Sequence, residues 1–483
     1  MKRFSAVMAP AFVLALALSA AAQEKPVTTT KDMDKTVKVT VTGEIQMDYV
    51  YRSAELTYFI GRTPPVGGVF ADDSDGETTF EGVLRAGFTI DLTDKISGVL
   101  EFGTKRVDAG ARTYFGELGA DGIVLREARV NISEFLNPKF NLELGICSWM
   151  FDPAGQGSPA AFAPGFSSSA TKNVSRVAQT AASVNGNLLD EIDPVGAVGT
   201  FRSGLMQLDV VLLPAIIEGS STGNDEALYA VDFFYTLDEK SGSRVGGILA
   251  VGTGPGTNTS IFTLGGGITW KGIPNLDLYG EVYVQFGNAG QVVIAGLDEN
   301  LDAKGRALQI GAAYTLQAGN NPVVLGAKIT YFSGDGDDAV TSADTSVDAF
   351  VGYENINDLA ILEDMWWGLD IDTNYTAFKI HGKISIDAFD LSAILGIVQA
   401  NEDVENLGTT GTSDESAWGQ EFDLKATWNI NKQFDLHVLL AMLLGSDIIE
   451  STMDSGVAAA GKPASGDSGN SALLYAIGFD LKF

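Results

Sequence analysis

The stretch "SALLYAIGFDLKF" at residues 471–483 decides the fold. Counted backwards, Phe483, Leu481, Phe479, Ile477, Tyr475 and Leu473 form one large apolar series. Lys482, Asp480, Gly478, Ala476 and Ala472 form the other, with Leu474 its one bulky member. A period of two is that of a β-strand with unlike faces. The question is what the apolar face touches.

The same period recurs along the chain. In "VKVTVTGEIQMDYVYR" (37–52), Val37, Val39, Val41, Ile45, Met47, Tyr49 and Tyr51 oppose Lys38, Thr40, Thr42, Glu44, Gln46, Asp48 and Arg52. "LDLYGEVYVQF" (276–286) and "WGQEFDLKATWNI" (418–430) alternate likewise. Eighteen such segments are expected, near 37–52, 80–92, 96–106, 123–133, 140–150, 195–202, 205–214, 226–236, 244–252, 260–271, 276–287, 305–316, 322–333, 376–386, 391–400, 418–430, 433–444 and 471–483. Several match the roughly 9–11 residues a tilted strand needs to cross a bilayer. The weakest pair is 195–214; without that hairpin the count is sixteen.

Every second connection is short: "TDK" (93–95), "KGIPN" (271–275), "QAGNN" (317–321) and "NKQ" (431–433). Those between are mostly long and rich in Gly, Asp, Ser and Thr. Short turns at one end and long loops at the other characterise an outer-membrane barrel. Closure leaves no edge strand and no backbone group unpaired in lipid. The fold class is therefore all-β, a transmembrane antiparallel β-barrel of about eighteen strands. A soluble sandwich shares the period but would mix long and short loops. The apolar face touches lipid, and the lumen is expected to be wet. Trp270 and Trp428 beside short turns, with Phe262, Tyr331 and Tyr49 near the other ends, suit two aromatic girdles.

Composition agrees. No apolar run after the N-terminus reaches the roughly 18 residues of a membrane helix. The chain has 56 Gly, 14 Pro and one cysteine, Cys147, so no internal disulfide forms. A formal charge of −31 argues against nucleic acid as a partner. At the start, "MKRFSAVMAPAFVLALALSAAAQ" has Lys2 and Arg3, an apolar core, and Ala20 and Ala22 before Gln23. Residues 1–22 read as a secretory signal peptide. Residues 23–36 are then a short periplasmic segment, too short for a plug domain, and 37–483 the barrel.

Candidate functional residues lie on the polar face and in the loops. Connection 151–194 is long enough to fold inward and narrow the pore; the plainer alternative is an external flap. The acidic lumen set is Glu44, Asp48, Glu81, Glu101, Glu127 and Glu143. The basic set is Arg85, Arg129, Lys328, Lys379, Lys383 and Lys425, with Lys105 and His381 nearby and Glu421 and Asp423 among the later members. Opposed walls of unlike charge would set a transverse field across the constriction; local pairing that only keeps the lumen wet is the alternative. Trp149, Tyr279 and Tyr283 are lumen aromatics able to guide sugar rings, though on separate strands. The loop "SGDGDDAVTSADTSVD" (333–348) holds Asp335, Asp337 and Asp338, a candidate external Ca²⁺ site, but lacks the spacing of a twelve-residue calcium loop. A solvated external loop is the plainer reading. His381 and His437 lack the spacing of a metal pair, and no nucleophile motif appears, so no enzyme and no cofactor is expected.

At 125–151, "LREARVNISEFLNPKFNLELGICSWMF" resembles a porin segment in which a strand turns back before the constriction loop. "YFSGDGDD" (331–338) is similar to a strand end of alginate-export-type porins, and terminal Phe483 matches an assembly signal of such families. The chain thus resembles bacterial outer-membrane porins of the alginate-export and phosphate-selective superfamily. The resemblance implies a passive channel for small polar solutes or ions, in contact with outer-membrane lipid, in a group whose members are often homotrimers. Those families line the pore with Arg or Lys for anions, whereas this lumen face is mixed to acidic. Polysaccharide export, an anion-selective channel and a structural or adhesive barrel are the alternatives.

Overall fold

A computed structural model describes residues 37–53, 77–104, 123–146, 193–217, 226–253, 260–294, 297–334, 346–350, 358–363, 369, 371, 373–404, 415–448 and 471–482. Its strands are β1 (Lys38–Arg52), β2 (Glu77–Asp91), β3 (Ile96–Thr104), β4 (Ile123–Ile132), β5 (Phe140–Ile146), β6 (Asp193–Ser203), β7 (Met206–Ile217), β8 (Glu226–Asp238), β9 (Ser243–Thr253), β10 (Ser260–Ile273), β11 (Leu276–Ile294), β12 (Leu297–Ala303), β13 (Arg306–Ala318), β14 (Asn321–Phe332), β15 (Ser346–Val347), β16 (Tyr375–Ile386), β17 (Phe389–Val404), β18 (Glu415–Asn431), β19 (Phe434–Leu444) and β20 (Ser471–Lys482).

Eighteen of them form the wall. Each pairs antiparallel with its neighbours in chain order, and β1 closes on β20 with Asp48 opposite Gly478. The two others are additions. β12 folds back on the outer end of β11, and β15 pairs parallel with β12. The doubtful hairpin at 195–214 is real, running in register from Asp193 opposite Ile217 to Ser203 opposite Met206 with one bulge. The barrel therefore has eighteen strands, not sixteen.

Each short turn needs a backbone reversal within a few residues. Left-handed conformations supply it: Gly319 at φ 66° and Asn275 at φ 65°, residue types that tolerate that region. The turns β2–β3, β4–β5, β6–β7, β8–β9, β10–β11, β13–β14, β16–β17 and β18–β19 are short and lie at the end where β1 begins and β20 finishes, the periplasmic end of such barrels.

The outer face inverts the usual rule of burial. Val282 (54% exposed), Ile310 (53%) and Ile477 (53%) stand out from the wall, and comparable Leu, Ile and Phe side chains form a belt around it. Such a belt is stable only against lipid. Phe389 stacks on Trp428 at 5.6 Å near the short turns. Tyr51 stacks on Tyr475 at 4.9 Å near the opposite rim. No helix among the described residues is long and apolar enough to cross a membrane, which is irrelevant to a barrel.

The inner face corrects the expectation of a uniformly wet lumen. Val50, Leu439, Leu443 and Leu474 point inward and are fully buried, as are Val211 and Leu213 on the far side. Leu474, the one bulky member of the polar series, belongs to this inner apolar patch.

Candidate functional site

The inner apolar patch on β16–β20 and β1 is covered by a piece of the connection between β14 and β16. Residues 358–363, "DLAILE", form a single turn closed by the Glu363 N–H donating to the Leu359 carbonyl at 3.0 Å. Leu359, Ala360, Ile361 and Leu362 are fully buried, in one cluster with Ile394, Val398, Leu439 and Leu474. Gly396 on β17 makes room: a Cβ there would stand 2.6 Å from Leu359 Cδ1.

A lone turn leaves its first four N–H groups without internal partners. Here all four are met by carboxylates. Leu359 N–H donates to Glu363 Oε2 at 3.3 Å, and Ala360 N–H to Asp423 Oδ2 at 2.9 Å. Ile361 and Leu362 donate to the two oxygens of Glu421, at 2.6 and 2.9 Å. Glu421 and Asp423 reach the lumen together because they are two apart on β18 and so share a face.

The acidic side chains of the turn are held in turn by lysines. Lys328 on β14 and Lys379 on β16 are direct cross-strand partners. Lys379 Nζ donates to Asp358 at 2.8 Å and to Glu363 Oε2 at 2.5 Å, and Lys328 is ion-paired with Asp358. Tyr375 donates its hydroxyl to Glu363 Oε1 at 2.9 Å. Burial alone raises the Asp358 carboxyl, but Lys328 and Lys379 more than offset it and hold it below the usual aspartate range. Burial pushes Glu363 up, and Lys379 does not cancel the rise.

This arrangement corrects the expected basic wall. Lys328 and Lys379 point inward, yet their side chains are 2% and 0% exposed because the turn's carboxylates cover them. Lys383 stays exposed, 3.9 Å from Asp390 on the neighbouring strand, and Lys425 is half-buried.

The remaining expected residues are distributed as follows. Asp48 is buried and bonded to His437 Nε2 at 2.7 Å across Gly478, and accepts from Gln46 at 2.8 Å. Glu143 pairs with Arg129 at 3.3 Å, and Glu44 and Glu101 are half-buried. Glu81 and Arg85 hold register positions opposite Asp48 and Glu44, and Glu127 opposite Glu101. Tyr283 donates to Glu281 at 2.7 Å, and the Tyr279 ring lies over Gly311. Trp149, Asp335, Asp337, Asp338 and residues 151–192 of the expected loop 151–194 lie outside the described residues, and its last two residues, Asp193 and Pro194, begin β6.

Sequence reasoning singled out neither Asp358 nor Glu363, and placed the connection between β14 and β16 outside the barrel. The available signal was the run Leu359–Leu362, four apolar residues in a stretch otherwise rich in Asp, Gly and Ser. Such a run inside a supposedly solvated loop needs a surface to cover it.

Neither the known family profiles nor the curated proteins contain a match to the chain. Solved structures do resemble it in overall fold. Pseudomonas aeruginosa OpdQ is 10% identical, with a TM-score of 0.49 over 92% of this chain and 98% of that one. Pseudomonas aeruginosa OccK5 (OpdH) is 11% identical, with a TM-score of 0.48 over 92% and 98%. Salmonella typhi OmpF, solved in complex with daunomycin, is 12% identical, with a TM-score of 0.41 over 92% and 97%.

Proposed function

We propose that the chain is an outer-membrane porin, a passive diffusion channel for small polar solutes or ions. The supporting observation is that the turn at 358–363 seats on one sector of the wall, that of β14 and β16–β20 with β1. Barrels of about eight strands are filled by their own side chains, whereas those of about 16–18 leave an aqueous channel. One turn on one side of an eighteen-strand barrel narrows such a channel without filling it. Loop 151–194 is a second inward constriction in this reading. Membership of the alginate-export and phosphate-selective superfamily rests on the sequence resemblance.

The channel is cation-preferring. The turn takes up the charge of Lys328 and Lys379, so the basic side loses two of its members to internal pairing. Glu44, Glu101 and Glu281 remain half-buried on the inner face. Trp149, Tyr279 and Tyr283 are proposed lumen aromatics. An external calcium site at Asp335, Asp337 and Asp338 and a homotrimeric state remain part of the proposal.

Liposome swelling tests it. Folded protein in vesicles should admit small sugars and amino acids at rates that fall with solute size. No swelling with the smallest solute would leave a structural or adhesive barrel as the better reading.

A further inference from the structure

β1 reaches further toward the periplasm than the strand that closes the barrel on it. Its pairing with β2 runs from Arg52 opposite Glu77 down to Lys38 opposite Asp91. Its pairing with β20 runs from Arg52 opposite Leu474 only to Glu44 opposite Lys482. Continued by one residue, that register sets Phe483 against Gly43. Lys38–Thr42 then have β2 on one side and, among the described residues, no strand on the other. All five are exposed, on the inner face as well as the outer.

Which backbone groups stand open follows from the bonds at the seam. Ser53 N–H donates to the Leu473 carbonyl at 2.8 Å, whereas Lys482 N–H turns away from β1 to the Gln433 carbonyl at 2.7 Å. Along an antiparallel strand the bonding side alternates from residue to residue. Odd-numbered residues of β1 therefore bond toward β20, and Val39 and Val41 each present an N–H and a carbonyl to the gap. Their side chains are 54% and 55% exposed on the lipid-facing side, where Val39 stands opposite Ile90 and close to Leu92. Unpaired backbone groups are not tolerated against lipid, and an open edge invites another strand.

We propose that the chain's own residues 26–30, "PVTTT", fill this gap as an added strand, antiparallel to β1 and in line with β20, with Val27 opposite Val39. The segment lies outside the described residues, directly before β1, so it reaches the gap without a linker. Val27, Thr28, Thr29 and Thr30 are all β-branched, which suits a strand. Lys31–Lys35, "KDMDK", is then a five-residue, mostly charged hairpin loop on the periplasmic side. Proline selects the register. Pro26 falls opposite Thr40, an even-numbered residue that bonds toward β2, so its missing N–H costs nothing. A shift of one residue either way sets Pro26 opposite Val39 or Val41, where a donor is needed, and turns Val27 toward the lumen. A second copy of the chain fits the gap poorly. Two barrels in one membrane are related by an axis along its normal, so their edge strands would cross at about twice the roughly 35–45° tilt instead of lying antiparallel.

Cysteine pairs in the full folded chain, on a Cys147→Ser background, test the strand and its register. Thr28→Cys/Lys38→Cys puts both thiols on the lumen face of one non-hydrogen-bonded pair, close enough to bridge. Thr28→Cys/Val39→Cys has nearly the same spacing along the chain, but its thiols point to opposite faces. Under mild oxidation the first pair should lose both maleimide-reactive thiols and the second should keep them. Equal loss in both pairs is the behaviour of a loose tail and overturns the proposal, as does loss in neither. Hydrogen exchange reads the edge without any cysteine. The Val39 and Val41 amides should exchange slowly in the wild type and fast in a chain lacking residues 24–31. Fast exchange in the wild type overturns the proposal, and so does slow exchange that survives the deletion, since another partner then covers the edge. Both measurements are made on the fraction with heat-modifiable gel mobility. Neither reads conductance, so failure of the channel reading would leave this inference standing, and the reverse holds too.

Discussion

Gly478 is where single atoms matter most. It lies between Asp48 on β1 and His437 on β19, and their hydrogen bond passes over it at the seam that closes the barrel. A Cβ there would stand 2.8 Å from His437 Nε2 and 2.5 Å from the Met47 carbonyl, with Asp48 Oδ1 closer still. Gly478→Val should break this clasp and lower the fraction that folds in detergent, measured by heat-modifiable gel mobility; an unchanged fraction would show that the clasp is dispensable. Lys379 is the corresponding residue in the lumen. Lys379→Met leaves Glu363 buried without its ammonium partner, a loss of about 3–5 kcal/mol for a broken buried pair. The turn should unseat while the barrel stays folded, which limited proteolysis within 351–372 and circular dichroism together would report. Proteolysis unchanged from wild type would contradict the role assigned to the lysine. The sequence revealed the types and faces of these residues, because alternation fixes the face. It did not reveal their partners, because Asp358 and Lys379 meet only through a loop whose path no local pattern encodes.

At the scale of elements, the strands were legible and the loops were not. Alternation located all eighteen wall strands to within a few residues at most ends, since each side of a strand meets a different solvent. The extension of β11 to Ile294 and its pairing with β12 were not foreseen, because Gly287, Asn288 and Gly290 read as a turn yet continue the strand through a bulge. The inward turn escaped for a different reason. Its stability comes from wall groups on β14, β16 and β18 that are distant in sequence. Gly396→Ile tests the seat directly: the new side chain fills the space of Leu359, so the turn should be displaced and unit conductance should rise. No change in conductance would mean that the turn lies outside the conducting path. Glu421→Ala removes the acceptor of two buried N–H groups, about 1–3 kcal/mol each, and should likewise raise conductance, with a thermal transition of the barrel close to that of the wild type.

The whole molecule is a barrel whose outside is apolar, whose ends differ, and whose inner wall is partly covered by its own loop. The barrel is legible from sequence because lipid imposes a rule on every strand. The lumen is less so, since an inward apolar residue such as Leu474 looks like an error in the pattern until its cover is known. Under a salt gradient, the reversal potential should have the sign of cation preference, and anion preference would contradict the charge balance drawn for the lumen. The most direct test of the central claim is single-channel conductance at neutral pH, wild type against a variant in which Asp358–Glu363 is replaced by a Gly-Ser linker of equal length. The account predicts stable steps from both, larger in the variant. Equal steps would contradict the seated turn as a constriction, and no steps from either folded protein would contradict the open channel itself.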